Sequence, residues 1–315
     1  MAGSSANSRT LRIGARGSPL SLAQTNLVRS WLIEAPANAG LDFEIIPITT
    51  TGDRIVDRSL AEAGGKGLFT KELDEALLDG RIDLAVHSMK DLPTALPEGI
   101  VLACTPARED PSDALICASA ASLEALAPTA RIGTASLRRQ AQVLALRPTF
   151  EIVMLRGNVE TRLRKVESGE IDATLLAVSG LRRLGLAARA VALIDPLTTP
   201  PAAGQGALAI TARAGDEAVF AVLAPIEDQA ARLEISAERA FLAALDGSCR
   251  TPIAALARWK GGTMDFVGET LTPDGARCWR RQDRAACASE ADAAALGGRL
   301  GLSIRAEAGD AIYRA

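Results

Sequence analysis

The 315-residue chain holds one histidine, ten aromatic residues (six Phe, three Trp, one Tyr) and five lysines, at positions 66, 71, 90, 165 and 260. A single imidazole excludes a His-rich metal centre. So few rings leave no stacking platform for single-stranded nucleic acid. The formal charge of −3 argues against a general nucleic-acid binder. No run approaches the roughly 20 apolar residues a spanning helix needs, so no membrane segment is expected. Met1 to Thr10 is small and polar and lacks the apolar core of a secretory leader. The five cysteines (104, 117, 249, 278, 287) are odd in number and never spaced C-x-x-C, a pattern that fits reduced thiols and a cytoplasmic location.

At this length two or three domains are expected. Leu11 to Gly14 reads as a strand. Gly17-Ser18-Pro19 opens a helix over Leu20 to Glu34, with Ser18 as N-cap and Pro19 at the first helical position. Asp42 to Thr49 alternates as a second strand, and Thr50 to Gly67 is a polar, glycine-rich loop. Leu68 to Leu78 has the spacing of an amphipathic helix, with Leu68, Leu73, Ala76 and Leu77 near one face. The apolar run Ile82 to Val86 reads as a short buried strand. Directly after it, His87-Ser88-Met89-Lys90-Asp91-Leu92-Pro93 offers an imidazole, a hydroxyl, an ammonium and a carboxylate. Loops leaving the carboxyl ends of strands are where open α/β sheets bind ligands. The plainer alternative is a solvated loop.

After Pro106 to Pro111 the pattern returns. Arg131-Ile132-Gly133 echoes Arg12-Ile13-Gly14, and Ser136 heads a helix as Ser18 does. Gly169-Glu170-Ile171-Asp172 echoes Gly80-Arg81-Ile82-Asp83. The faint repeat predicts two similar α/β domains facing each other across a ligand-holding cleft. Asp195 to Gly206 reads as a linker, and Ala207 to Thr211 as a strand that rejoins the first domain. A helix from about Asp228 to Leu245, capped by Asp246-Gly247, leads into a smaller α+β domain.

Three stretches carry candidate chemistry. Gly64-Gly65-Lys66-Gly67 fails as a phosphate loop, because Leu60 stands where a glycine is needed and Gly67 replaces Ser/Thr. It still places Lys66 and Phe69 beside a ligand or, more plainly, on the surface. From Arg131 to Arg183 ten cations face five acids. Arg138, Arg139, Arg156, Arg162 and Arg183 fall at strand ends or first helical turns, which favour carboxylates or phosphates. That composition predicts a cleft for a polyanion too small to be nucleic acid, against a solvated face enriched in arginine. Cys249 lies in the turn Asp246 to Pro252, where Arg250 would favour its thiolate.

These residues resemble one family. Arg12 to Leu20 (RIGARGSPL), Gly64 to Glu72 (GGKGLFTKE), His87 to Pro93 (HSMKDLP), Gly133 to Gln140 (GTASLRRQ), Leu155 to Leu163 (LRGNVETRL), Gly180 to Leu186, Gly204-Gln205-Gly206 and Cys249 to Pro252 run in the order of the porphobilinogen deaminase, or hydroxymethylbilane synthase, family. Ser248 departs from the glycine that many members carry before the cysteine. The resemblance implies two periplasmic-binding-protein-like α/β domains flanking a cleft, plus a smaller C-terminal α+β domain. Their bounds are 1–106 with 207–226, 107–206, and 227–315. It implies a covalent dipyrromethane cofactor held by Cys249 as a thioether. It implies a monomeric transferase that joins four porphobilinogen units head to tail, loses ammonia at each step, and hydrolyses off the linear product.

On that resemblance Asp91 stabilises developing positive charge and assists proton transfer. Arg16, Arg138, Arg139, Arg156, Arg162 and Arg183 bind the acetate and propionate arms. Lys66 and Lys90 pair with carboxylates, Ser18 and Ser136 donate hydrogen bonds, Phe69 packs on a ring, and Gln205 belongs to the binding set. His87 supports the loop through a structural hydrogen bond. The rival readings are a non-catalytic two-lobed solute-binding protein for a small polycarboxylate, and a phosphate-handling transferase, for which no P-loop or metal element is found.

Overall fold

The computed structural model describes residues 10–54, 67–247 and 251–313. In chain order it runs β1 (Thr10–Arg16), α1 (Pro19–Glu34), β2 (Asp42–Ile48), α2 (Thr51–Arg54), α3 (Lys71–Leu78), β3 (Leu84–Ser88) and β4 (Ile100–Cys104). Then follow β5 (Asp113–Cys117), β6 (Arg131–Thr134), α4 (Leu137–Leu146), β7 (Glu151–Met154), α5 (Val159–Glu167), β8 (Ala173–Ala177), α6 (Val178–Arg183) and β9 (Ala192–Leu193). The chain finishes with β10 (Leu208–Arg213), α7 (Glu217–Leu223), α8 (Gln229–Ala244), β11 (Ile253–Lys260), β12 (Thr263–Leu271), β13 (Cys278–Ala286) and α9 (Glu290–Ala308).

Two sheets share one topology. The first has the order β2-β1-β3-β10-β4 and the second β7-β6-β8-β5-β9. In each, three parallel strands are followed by an antiparallel one, β10 against β3 and β5 against β8. Strand β10 does return to the first sheet, between β3 and β4.

The echoed residues occupy equivalent places. Arg12 N–H donates to Asp83 Oδ2 at 2.8 Å and Arg131 N–H to Asp172 Oδ2 at 2.7 Å. In return the amides of Asp83 and Asp172 donate to the carbonyls of Arg12 and Arg131. A Cβ on Gly14 would lie 2.3 Å from Ile82 Cδ1, and one on Gly133 2.4 Å from Ile171 Cδ1. The glycines let the helix–strand turn pack directly on the sheet, once per lobe.

The third unit is an antiparallel sheet, β11-β12-β13, covered by α8 and α9. Its core gathers Phe241, Phe266, Trp279, Leu296 and Ile304. Ser289 and Asp292 form a capping box at the start of α9, closing two otherwise open backbone donors.

Some boundaries differ from the sequence reading. Helix α3 starts at Lys71 rather than Leu68, because Gly67 (φ 82°) and the next three residues form a turn. Ile82 belongs to the turn before β3, where its amide donates to Ala76 O. The strand therefore extends through His87 and Ser88, and Met89–Asp91 form a single 3₁₀ turn.

Candidate functional site

The site assembles where β1, β3, β6 and β8 end. Ser18 caps α1, its hydroxyl accepting from Ser21 N–H at 3.3 Å, and Ser136 caps α4 in the same way through Arg139 N–H at 3.4 Å. Both serines act as acceptors to the backbone, which leaves each hydroxyl proton free to donate. Arg16, Ser18, Phe69, Thr70, Ser88 and Asp91 line one pocket. In it the Arg16 guanidinium lies 4.1 Å over the Phe69 ring, a cation–π contact that holds both side chains in place.

His87 is buried, its Nε2 3.1 Å from Thr211 Oγ1 across the β3–β10 pair. Burial, then the Arg16 charge, lowers its pKa to about 4. A neutral ring bonded to the neighbouring strand supports the loop, as the sequence reading expected. Lys90 and Asp91, one turn later, are open to solvent.

Charged side chains distant in sequence converge here. Lys90 Nζ donates to Gln205 Oε1 at 3.2 Å. The desolvated cleft, then Arg139, pulls Lys90 down to about 8, with Asp91 and Asp113 opposing. Although Lys90 has accessible surface, groups from both lobes flank its ammonium. Arg162 is lowered to about 10 by burial and by Arg139 and Arg156, and is held up by Asp91. Its Nε donates to Gly157 O at 2.9 Å. Arg183 is likewise lowered to about 10 by burial, with Glu109 opposing. It reaches Gly206 O at 2.7 Å, while its Nε is buried without a partner.

Asp113, at the start of β5, was not among the sequence candidates. It is 4% exposed and accepts from Arg138 Nη1 at 2.8 Å, Arg139 Nη2 at 2.7 Å and Gln205 Nε2 at 2.8 Å. Burial alone would raise its carboxyl, but the two guanidinium groups win and hold it well below the usual carboxylate range. A charged residue opening the wholly buried strand DALIC was the available signal, since a buried charge needs a partner.

Gln205 has both ends of its amide engaged within the protein, Oε1 by Lys90 and Nε2 by Asp113 and Pro111 O. It is a strut between lobes. Arg138 also bonds Gln142 and Pro200 O, so its Nη1 faces the protein and its Nε is buried without a partner. Lys66 and Cys249 lie outside the described residues. The flanking Gly247 and Thr251 follow α8 and precede β11.

Below this cleft, Arg108 ties the linker to the third unit. Its guanidinium bonds Glu234 at 3.1 Å and Glu238 at 2.7 Å on α8, and its Nε donates to Gln205 O at 3.0 Å. Glu238 also accepts from the amides of Gly204 and Ala257.

Two like-folded α/β lobes with crowded cations between them, backed by an α+β unit, define a class of protein that holds a small polyanion in an interlobe cleft. The family model described as "Porphobilinogen deaminase, dipyromethane cofactor binding domain" matches residues 11–221, and "Porphobilinogen deaminase, C-terminal domain" matches residues 232–306. The porphobilinogen deaminase of Caulobacter sp. (strain K31) is 55% identical, over 96% of this chain and 97% of its own length. That of Phenylobacterium zucineum (strain HLK1) is 54% identical, over 96% and 98%. Among solved structures, the periplasmic VFT2 domain of Bordetella pertussis BvgS overlays 69% of this chain and 86% of itself, at 16% identity and a TM-score of 0.41.

The chain belongs to the porphobilinogen deaminase family. The site suits a polycarboxylate group such as the family's cofactor. Arg138 and Arg183 each keep a buried Nε without a partner, and Lys90 and Arg162 are destabilised by neighbouring cations. Bound carboxylates would relieve both. Among the described residues no group of His, Cys, Asp or Glu side chains could hold a metal ion, and no helix is long and apolar enough to cross a membrane.

Proposed function

We propose that this protein is a hydroxymethylbilane synthase. It condenses four porphobilinogen molecules head to tail with loss of ammonia, on a covalent dipyrromethane primer attached through Cys249, and releases the linear tetrapyrrole by hydrolysis. The observation that carries this reading is that Asp91 and Arg139 both act on Lys90, itself bonded to Gln205, and on Arg162. One carboxylate stands among cations drawn from both lobes, in a chain that matches the family over residues 11–221 and 232–306.

The primer, when bound, would supply the free pyrrole carbon to which the first unit is joined and would keep the growing chain tethered. The chain's own residues do the rest. Arg138, Arg139, Arg156, Arg162 and Arg183 hold acetate and propionate arms, with Arg16, Lys90 and Lys66 completing the set. Asp91 faces the carbon that becomes positive as ammonia leaves and, being fixed beforehand, stabilises that charge without reorganising. It also exchanges a proton with the departing amine. Phe69, steadied by Arg16, packs against a ring. The Ser18 and Ser136 hydroxyls donate to ligand carboxylates, and Gln205 acts by holding Lys90 and Asp113.

On this reading the chain works as a cytoplasmic monomer without nucleic acid or membrane. It divides into 1–106 with 207–226, 107–206, and 227–315, a division supported by β10 lying in the first sheet. Intact-mass measurement of active protein tests the proposal. A mass increment equal to two linked pyrrole units, lost in Cys249→Ser, is expected, and an unmodified Cys249 in active enzyme overturns it. In the same experiment Asp91→Asn should keep the increment but lose about 10²- to 10³-fold in turnover, the usual scale for removing one preorganised stabilising group. A near-normal rate removes Asp91 from its role.

A further inference from the structure

Resting on that function, we propose that Asp113 is the positioning residue of the carboxylate-binding wall: from the start of β5 it locks Arg138 and Arg139 into one fork and, through Gln205, sets Lys90 beside them across the cleft. Asp113 does not reach the ligand; its effect is exerted through the groups it holds. Arg139 places both Nε (3.3 Å) and Nη2 (2.7 Å) on this carboxylate. That two-point contact fixes the plane of the guanidinium as well as its position. Arg138 is gripped through one nitrogen, its Nη1 donating to the same carboxylate, to Gln142 Oε1 and to Pro200 O.

Among the described residues, Arg139 Nη1 and Arg138 Nη2 have no hydrogen-bond partner and remain for a ligand. Gln142 continues the network to Glu269 on β12 at 2.9 Å, so the fork is tied to the third unit as well.

A field argument and a positioning argument predict opposite signs. If Asp113 merely contributed charge, Asp113→Asn would strengthen polyanion binding, because one negative charge leaves the wall. If it positions, the same change weakens binding, because an amide N–H now faces a guanidinium that must rotate away. Removing one partner of a buried ion pair can also unfold a protein, so a second variant keeps the charge balance. Arg139→Lys retains a cation but cannot make the two-point contact.

The test measures calorimetric binding of benzene-1,2,4,5-tetracarboxylate at pH 7 to wild-type holoenzyme, Asp113→Asn and Arg139→Lys, alongside porphobilinogen KM and kcat. Both variants should bind the probe about tenfold more weakly, and KM should rise about tenfold while kcat changes much less. Unchanged or tighter probe binding by either folded variant overturns the proposal. A tenfold loss of probe binding in a protein that does not consume porphobilinogen would uphold the role of Asp113 and instead refute the function on which it rests.

Discussion

Three aspartates near the cleft show how one residue type acquires different tasks from its surroundings. Asp113 is buried and overcompensated by two arginines, so it is held ionised. Asp91 is open to solvent and acts on Lys90 and Arg162, the setting that the charge-stabilising role proposed for it requires. Asp74, on α3 directly after the Phe69-Thr70 turn, is 5% exposed, with an Oδ1 that has no hydrogen-bond partner. Burial raises it to about 6, Glu75 adds to the rise, and the Thr70 hydroxyl opposes it.

The sign follows directly. A carboxyl whose folded pKa lies above its unfolded value contributes stability at low pH, and that contribution is lost as pH climbs through about 6. Asp74→Asn should therefore stabilise the protein at pH 8 by about 1–2 kcal/mol, the scale of a buried charge relieved of desolvation. At pH 4 it should leave stability nearly unchanged. Equal thermal midpoints for variant and wild type at pH 8 would contradict this.

At the scale of elements, the matched turns of the two lobes and the linker between them respond differently to a methyl group. On Gly14 or Gly133 the new Cβ meets the tip of an isoleucine, which can swing aside, so each alanine substitution should cost about 1–2 kcal/mol of overpacking. On Gly206 the Cβ would stand 2.3 Å from Glu109 O, at a φ of 92°. A carbonyl cannot rotate away as a side chain can, and the backbone strain adds to the clash. Gly206→Ala should cost about 3 kcal/mol or more and disturb the Arg183–Gly206 contact. Urea unfolding of the three variants, with Gly206→Ala no worse than the others, would refute the distinction.

The repeat behind Gly14 and Gly133 was legible in the sequence because the same steric demand recurs: a close strand–helix turn, a returning Asp and a glycine in between. The start of α3 and the reach of β3 were not. Gly67 and the Gly80–Asp83 turn spend apolar residues on connections, and periodicity alone assigned those residues to the regular elements.

Over the whole molecule, Arg108 is the joint. It is 4% exposed and its partner Glu238 is fully buried, and the pair bonds the linker, α8 and β11 at once. Removing one partner of such a pair leaves an uncompensated buried charge, which costs about 3–5 kcal/mol. Arg108→Ala should lower the melting temperature and split one cooperative transition into two, as the third unit uncouples from the lobes. A single transition at the wild-type temperature in calorimetry would show that the units are joined by other means.

What the sequence determined by itself is local and chemical. It set the caps at Ser18 and Ser136, the alternating strands, the density of arginine between 131 and 183, and the family motifs carrying Asp91 and Cys249. Each depends on neighbours within a few residues, where propensity and spacing act. Only the tertiary structure decided which charges are spent on the protein itself. Asp113 lies 25 and 26 residues from its two arginines and 92 from Gln205, and hydrogen-bond saturation across such distances leaves no periodic trace in the chain. The fold therefore turned Gln205 into an internal strut and revealed a buried aspartate behind the arginines.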